Sequence, residues 1–418
     1  MYKAPRGTSD ILPEDQPYFA YIEQKAAHIS QLFGYQPIET PVFEYADLFV
    51  RSVGEETDIV DKEMYVFKDK GGSDLALRPE ATAPVLRAYI EHGMQNLPQP
   101  IKLYYFSSLF RYERPQAGRF RQHHQFGAEA IGDGDPALDA ELIDMVWRFI
   151  AGLGISDIVL FINSIGCRQC RPAYLQKLKQ YYSNQVDSMC TDCKTRLANN
   201  PLRLLDCKKE SCTPLVAQAP KSSQHLCGEC GKHYDSLKKY LGLLAIPHTE
   251  NPMLVRGLDY YTRTVFEIQP QEETGAQVAI AGGGRYDGLI EALGGKPTPG
   301  IGFGSGMERI VLNLKKQGIA IPAQAEPKVF VAYLGSDAKE KALRVTAELR
   351  KNDIATIQSL SDRSMKAQLK QAGKSGVAHA IIIGEDELKS DSAIIRDMAQ
   401  GSQQSLSINE IITILKIK

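Results

Sequence analysis

The sequence predicts an α+β protein in three parts: a domain built on an antiparallel sheet, a helical insertion within it, and a small separate α/β domain behind it. Three observations carry this expectation. Short apolar segments separated by turn residues recur before and after the middle of the chain, the pattern of an antiparallel sheet rather than of alternating βαβ units. All eight cysteines lie between Cys167 and Cys230, in a stretch that is mostly helical by pattern. After a linker rich in Ala and Pro, GIAIPAQAEP, strands and helices alternate to the last residue.

A first helix runs roughly from Glu14 to Phe33, where Phe19, Ile22, Ile29, Leu32 and Phe33 recur at helical spacing and Gly34 suits the C-terminal cap. The next segment, YQPIETPVFEYADLFVRSVG, is extended where Pro37 and Pro41 interrupt it and then helical. EMYVFKD, LALRPE, IKLYYFSSLFRYE and QFGAEAIG read as strands of the antiparallel sheet, and Pro136–Leu153 as a helix. The strand pattern resumes with MLVRGLDYYTRTVFEIQ, QVAIAGGGRYDGLI and GIGFGSG, and MERIVLNLKK closes the domain as a helix. The tail reads as strand (KVFVAYLG), helix (Ala338–Lys351), strand (ATIQSL), helix (Ser364–Ala372), two strands (HAIIIG and SAIIRDM) and a final helix. The expected bounds are 1–166 with 246–318 for the sheet domain, 167–245 for the insertion and 327–418 for the tail domain.

At 418 residues the chain exceeds one ordinary core, so two or three domains are expected. Lys plus Arg is 49 against 50 for Asp plus Glu, so no global positive field points to nucleic acid, and any such contact must use local patches. The opening MYKAPRGTSDILPEDQ lacks a signal-peptide core, and no apolar run is long enough to span a bilayer. A cytoplasmic location without membrane contact is the expectation, and clustered cysteines then point to thiols or metal rather than to disulfides.

Chemistry concentrates in a few stretches. FRYERPQAGRFRQHHQFGAE falls between two expected strands and gathers Arg111, Arg114, Arg119 and Arg121 with Glu113, His123 and His124. Guanidinium forks match phosphate oxygens, so this loop can hold a nucleotide or an RNA backbone; the plain alternative is a solvated charged loop. GIGFGSGMERI has glycines at 300, 302, 304 and 306, which breaks a dinucleotide fingerprint at Ser305 and Met307. Its glycines serve either tight turns or a backbone kept small so that a ligand can lie close to the sheet. Arg309, in the first turn of the helix opening at Met307, joins Arg111 as a candidate clamp on a triphosphate. In RGLDYYTRTVFE, Arg256, Asp259, Tyr260 and Tyr261 are expected to alternate between sheet faces. The pairs Cys167/Cys170, Cys190/Cys193, Cys207/Cys212 and Cys227/Cys230 suit two four-cysteine zinc sites of structural type. An iron–sulfur cluster and plain reduced thiols are the alternatives, and spacing does not say which pairs combine.

Together these pieces resemble the class II aminoacyl-tRNA synthetases, and specifically the histidyl family, over essentially the whole chain. GYQPIETPVFEYADLFVRSVG resembles the first class motif, with Pro41 as its interface proline. The segment around Phe110–Glu113 resembles the second, and GIGFGSGMERI, ending at Arg309, the third. RGLDYY, AGGGRYDGL, LRPEATAP and the opening PRGTSDILPED are similar to segments of the histidyl family. The resemblance implies an antiparallel six-stranded catalytic sheet, a helical insertion, a C-terminal anticodon-binding domain and a homodimer. It implies activation of histidine by ATP with Mg2+ to histidyl-adenylate, then transfer to the 3′ end of tRNA(His). By motif, Arg111 binds the α-phosphate, Arg309 the γ-phosphate, and Arg256 lies beside the α-phosphate and the reacting carboxylate. Glu80, Thr82 and Gln125 hold the α-amino group, while Glu129 and Tyr261 bracket the imidazole and Tyr260 and Tyr286 shape the pocket. Glu113, Arg119 and His123 complete the ATP site, His123 standing where many relatives stack a Phe on adenine. Gln116, Arg119 and Arg121 approach the tRNA acceptor end. Many histidyl enzymes lack these cysteines, so the resemblance does not vouch for zinc.

Three rivals follow. A synthetase for threonine, proline or glycine would share the class motifs, but RGLDYY and GGGRYDG argue against it. A catalytically inactive regulatory paralogue would lack the tail domain, which this chain has together with Arg111, Arg256 and Arg309. A nicotinamide-dependent dehydrogenase fails on the glycine register. The tail alone fits any interaction module.

Overall fold

The computed structural model describes residues 2–54, 57, 59–113, 120–271, 278–322 and 328–417. The chain divides into two compact units, Met1–Ile321 and Pro322–Lys418.

The first unit is organised by a sheet whose strands lie in the order Gln36–Pro37, Ile101–Phe110, Gln122–Ile131, Gly300–Gly306, Ala281–Arg285, Thr262–Pro270, Ile158–Ser164 and His248–Glu250. The six inner strands pair antiparallel throughout. The two outer strands pair parallel, so the sheet has eight strands rather than the six expected. Both additions are two or three residues long and sit at the edges, where a short strand blunts the row of unpaired backbone groups. Pro37 is tolerated there because an edge residue has no need of an inward N–H.

Period-two alternation fixes the two faces. Phe126, Ala128, Ala130, Ile301 and Phe303 point into the main core, against the helices Gln16–Leu32, Pro136–Gly152, Gly228–Leu243 and Met307–Lys316. Leu103, Tyr105, Leu109, Ile131 and Tyr286 belong to a second cluster with Val85, Leu86 and Tyr89 of the helix Thr82–Glu91. The helix at Pro136 begins where its chemistry says it should: the Asp135 carboxylate accepts from the Ala137 N–H at 2.8 Å, with Pro136 in the first turn.

Two further sequence expectations are corrected. EMYVFKD and LALRPE do not join the main sheet; Val66–Lys68 and Asp74–Leu77 form a separate three-stranded sheet with Phe43–Tyr45. The turn Asp69–Ser73 closes them on each other, and the Asp69 N–H donates to the Ser73 carbonyl at 3.0 Å. RGLDYY is not a strand, since regular pairing starts only at Thr262, so Arg256, Asp259, Tyr260 and Tyr261 do not alternate across a sheet. The insertion draws this segment off the sheet. Leu254 and Val255 are buried in the insertion's core, Asn200 donates to the Asp259 carboxylate at 2.6 Å, and Arg203 to the Gly257 carbonyl at 3.4 Å.

Between Cys167 and Gly242 the backbone is helical, with Arg171–Ser183, Thr191–Asn199, Thr213–Ala217 and Gly228–Leu243 joined by short 3₁₀ turns. Its buried residues form their own cluster around Tyr174, Leu178, Leu204 and Leu205.

The second unit holds a five-stranded sheet in the order Thr356–Gln358, Val329–Tyr333, His379–Ile383, Ala393–Asp397 and Gln403–Leu406, the first three parallel and the rest antiparallel. Val329–Tyr333 is buried along its whole length, as a central parallel strand covered on both faces must be. The strand Gln403–Leu406 is absent from the sequence reading because its QQSL composition is polar and its position is an exposed edge.

Candidate active site

The site lies on the sheet face opposite the main core. Its centre is Glu129, fully buried on the strand Gln122–Ile131. Three hydroxyls converge on its carboxylate: Thr82 Oγ1 donates at 2.8 Å, Tyr105 at 3.0 Å and Tyr286 at 2.6 Å. Burial raises the carboxyl pKa to about 8 against these hydroxyls, which hold it down, with the Glu80 charge adding to the rise.

The glycines of the third motif now have a physical meaning. The register sets Gly302 opposite Glu129 and Gly304 opposite Gly127, and the side chain of Gln125 lies over Gly304. A Cβ on Gly302 would stand 1.8 Å from Glu129 Oε2, and one on Gly304 2.3 Å from Gln125 Nε2. The alternation Gly-Ile-Gly-Phe-Gly thus buries Ile301 and Phe303 on one face and leaves the other flat enough for side chains of the neighbouring strand. The small backbone makes room first for pocket side chains, a finer statement than room for a ligand.

Glu80 caps the helix Thr82–Glu91, its carboxylate accepting from the Thr82 N–H at 2.7 Å and the Ala83 N–H at 2.9 Å. Burial raises its pKa, and these donors and the nearby Arg111 oppose the rise. Tyr260 and Tyr261 are in ring contact at 4.8 Å, and Tyr260 meets Tyr286 edge-on at 6.1 Å. The phenols of Tyr260, Tyr261, Tyr105 and Tyr286 all have raised pKa values, burial being the main cause, so all four remain neutral donors.

Cations flank this pocket. Arg256 lies against Gly282, whose added Cβ would fall 2.6 Å from its guanidinium, and it donates to Glu267 at 2.8 Å. Its Nε is buried without a hydrogen-bond partner, a donor of the kind an anionic ligand would satisfy. Arg111 Nε donates to the Pro79 carbonyl at 2.8 Å, and Arg309 to the Ala279 carbonyl at 2.9 Å. Between them His123 is held neutral: its pKa falls to about 3, first through burial and then through the charges of Arg111, His124 and Arg309. His124 goes the other way, raised chiefly by its 2.7 Å bond to Glu308. Arg121 stacks on the Tyr112 ring at 3.7 Å and donates to the Glu113 carbonyl.

The structure therefore gathers Glu80, Thr82, Glu129, Tyr260, Tyr261 and Tyr286 in one pocket, and it sets Arg111 and Arg309 near enough to His123 for their charges to lower its pKa. Gln116 and Arg119 lie outside the described residues.

Sequence reasoning missed three contributors. Tyr105 reaches Glu129 because the hairpin register sets it opposite Gly127. Arg78, nearly fully buried, donates to the carbonyls of Thr40, Pro41 and Ser108 and so ties the loop carrying Glu80 to the hairpin. Arg285 is fully buried, donates to Asp139 at 2.7 Å and to Asp287 at 3.0 Å, and is followed in sequence by the pocket residue Tyr286. Asp139 also accepts from Thr264 at 2.6 Å, and burial raises its pKa to about 6. An arginine inside an apolar glycine-rich strand was the available signal, since buried arginine requires a partner.

An antiparallel sheet with a glycine-flattened face, a buried carboxylate ringed by hydroxyls and arginines at the hairpin loop and on the helix Met307–Lys316 are the features of an amino-acid-activating synthetase of class II. The comparisons narrow this. The family model described as histidyl-tRNA synthetase matches residues 7–310, and that described as anticodon binding domain matches residues 328–418. A histidine–tRNA ligase from Dehalococcoides mccartyi strain 195 is 57% identical over 416 residues, covering 100% of this chain and 99% of the relative. One from Pelotomaculum thermopropionicum is 47% identical over 414 residues, covering 99% and 97%. The crystal structure of apo S. aureus histidyl-tRNA synthetase superposes with a TM-score of 0.83 at 38% identity, covering 100% of both chains. A Bacillus halodurans structure named as an ATP phosphoribosyltransferase regulatory subunit/histidyl-tRNA synthetase shares the fold alone, with a TM-score of 0.67 at 23% identity over 92% of this chain and 98% of that one. The chain belongs to the histidyl-tRNA synthetase family.

Proposed function

We propose that this protein is a histidine–tRNA ligase that activates histidine with ATP and transfers it to tRNA(His). The observation that carries the specificity is the buried Glu129 carboxylate, ringed by the hydroxyls of Thr82, Tyr105 and Tyr286. Neutral imidazole offers one donor and one acceptor nitrogen. Glu129 accepts from the donor and the Tyr261 phenol donates to the acceptor, while Tyr260 and Tyr286 close the walls. An amino acid lacking either nitrogen leaves a buried group unpaired, a mismatch worth about four orders of magnitude in such sites.

In the first step the histidine carboxylate attacks the α-phosphorus of Mg2+–ATP, and pyrophosphate leaves. No protein nucleophile is needed; positioning and positive charge lower the barrier. Arg111 and Arg256 neutralise the α-phosphate and Arg309 the γ-phosphate. Neutral His123 stacks on adenine, Glu113 and Arg119 complete the nucleotide site, and Glu80, Thr82 and Gln125 hold the ammonium group. In the second step a hydroxyl of the 3′-terminal adenosine attacks the histidyl carbonyl, and AMP leaves. Gln116 and Arg121 guide the acceptor end, and the unit from Pro322 onward, matched over residues 328–418, reads the anticodon. The functional domains are 1–166 with 246–318, 167–245 and 327–418, and the insertion carries structural zinc on its cysteines.

Exposed Phe43, Tyr45, Val66 and Phe67 on the small sheet, next to Pro41, support a homodimer interface. No helix among the described residues is long and apolar enough to cross a membrane, in keeping with a cytoplasmic enzyme. The Arg111, Arg256 and Arg309 set leaves nothing that favours an inactive regulatory role. The test is ATP–pyrophosphate exchange with each of the twenty amino acids. Exchange with histidine alone is expected; exchange with another amino acid would overturn the pocket assignment, and exchange with none would overturn the enzyme.

A further inference from the structure

The eight cysteines fold into two sets that their order in the sequence does not dictate. Cys167 and Cys170 meet Cys227 and Cys230, while Cys190 and Cys193 meet Cys207 and Cys212. Within each set the four sulfurs all lie within 4.8 Å of one another.

The spacing discriminates among the chemistries available to thiols. Sulfur–sulfur separations are 3.8 Å for Cys167–Cys170, 3.9 Å for Cys167–Cys227, 3.8 Å for Cys170–Cys230 and 3.9 Å for Cys190–Cys207. A disulfide needs about 2.0 Å. Four sulfurs placed about 2.3 Å from one central ion stand about 3.8 Å apart along each tetrahedral edge. Each set therefore has the dimensions of a single-ion tetrathiolate shell. A cluster of several irons with bridging sulfides would hold the cysteine sulfurs farther apart.

Backbone donors point the same way. The Cys167 N–H donates to Cys170 Sγ at 3.3 Å, and the Cys190 N–H to Cys212 Sγ at 3.3 Å. Amide donors turned onto sulfur suit an anionic acceptor.

We propose that this protein binds two zinc ions, each in a closed four-thiolate shell: one at the neck of the insertion and one inside it. The neck site joins residues 60 positions apart. Cys167 and Cys170 follow the strand Ile158–Ser164, while Cys227 precedes the helix Gly228–Leu243 and Cys230 lies in its first turn. The ion closes the insertion where it leaves and re-enters the sheet domain. Arg171, next after Cys170, donates to the carbonyls of Ile165, Gly166 and Tyr261, so the neck is also joined to the backbone of the pocket tyrosine. The inner site ties the start of the helix Thr191–Asn199 to the segment between the 3₁₀ turn Pro201–Asp206 and the helix Thr213–Ala217, a stretch with short helices and a small core of its own. Four sulfurs leave no open coordination position, so both ions are structural. Soft thiolates with tetrahedral spacing select zinc over the hard cations.

The experiment measures metal content and zinc X-ray absorption on the full chain purified without chelator. Two zinc ions per chain are expected, each with four sulfurs at about 2.3 Å. Folded protein with fewer than two ions, with iron in their place, or with nitrogen or oxygen ligands would overturn the proposal. The pairing is read from two double variants. Cys167→Ser with Cys230→Ser should retain one ion, whereas Cys167→Ser with Cys207→Ser should lose both; the reverse result from folded chains would overturn the pairing. Should either variant fail to fold, the stoichiometry and sulfur count of the wild type still decide the proposal.

Discussion

Replacing Glu129 by Gln keeps the side chain's size and removes its charge, so it isolates what the buried carboxylate contributes. Three hydroxyls already point at this group, and burial has pushed its pKa to about 8. If the ionised carboxylate accepts from the imidazole, its loss removes a charge-assisted bond worth about 1.5–3 kcal/mol, a rise in histidine KM of roughly 10- to 150-fold. The KM for ATP should move less than about threefold, because the groups hydrogen-bonded to Glu129 are the hydroxyls of Thr82, Tyr105 and Tyr286 and not the arginines proposed to hold the phosphates. The wild type should add a pH signature. The folded pKa lies above the ordinary carboxylate value, so at lower pH the free site is protonated and must lose that proton to bind. Histidine KM should then rise as pH falls, by about eightfold between pH 8.5 and 7.0 for a group titrating near 8. The substrate imidazole, with an ordinary pKa of about 6.5, stays mostly neutral over that window. The Gln variant has no such group and should lack the slope. The assay is ATP–pyrophosphate exchange with histidine and ATP varied separately. A Glu129→Gln enzyme with unchanged histidine KM, or with the wild-type pH slope, would refute the reasoning.

Three further outcomes are expected. Arg256→Ala should leave histidine binding intact and slow adenylation about 100- to 1,000-fold if, as proposed, the guanidinium acts on charge that develops in the transition state; unchanged single-turnover adenylation would remove it from that role. Gly302→Ala places a Cβ 1.8 Å from Glu129 Oε2, so histidine KM should rise more than tenfold with ATP KM little changed; equal rises in both would contradict the packing account. Asp139→Ala removes one of the two carboxylates that the fully buried Arg285 pairs with, leaving Asp287, and should destabilise the first unit by about 1.5–3 kcal/mol, visible as a lower urea midpoint; an unchanged midpoint would show the Asp139 pair to be dispensable.

Much of the fold was legible because its signals are local. The helix Pro136–Gly152 carries its own cap and apolar face, and the hairpin strands flanking the arginine-rich loop show their alternation directly. The tail's alternation of strands and helices likewise survives in the structure, with a short helix, Glu385–Lys389, and one polar edge strand added. What failed were pairings. EMYVFKD and LALRPE have the composition of strands but not a label for which sheet they join. RGLDYY reads as a strand by residue type, yet Asn200 and Arg203 of the insertion bind its backbone and side chains, and nothing in the segment itself announces that contact.

The sequence by itself determined the residue types of the site and their order along the chain: a carboxylate at 129, tyrosines at 260, 261 and 286, arginines at 111, 256 and 309, and cysteines in close pairs. These are covalent facts, and motif spacing preserves them. Only the tertiary structure decided that Thr82, Tyr105 and Tyr286 converge on Glu129, that burial lifts its pKa, and that Gly302 exists to give it room. Only the structure paired Cys167 and Cys170 with Cys227 and Cys230, rather than with the nearer Cys190 and Cys193. The reason is the same in each case. Desolvation, hydrogen-bond convergence and ligand geometry depend on distances between residues far apart in the chain, and those distances exist only once the sheet has set its register and the insertion has closed over its neck.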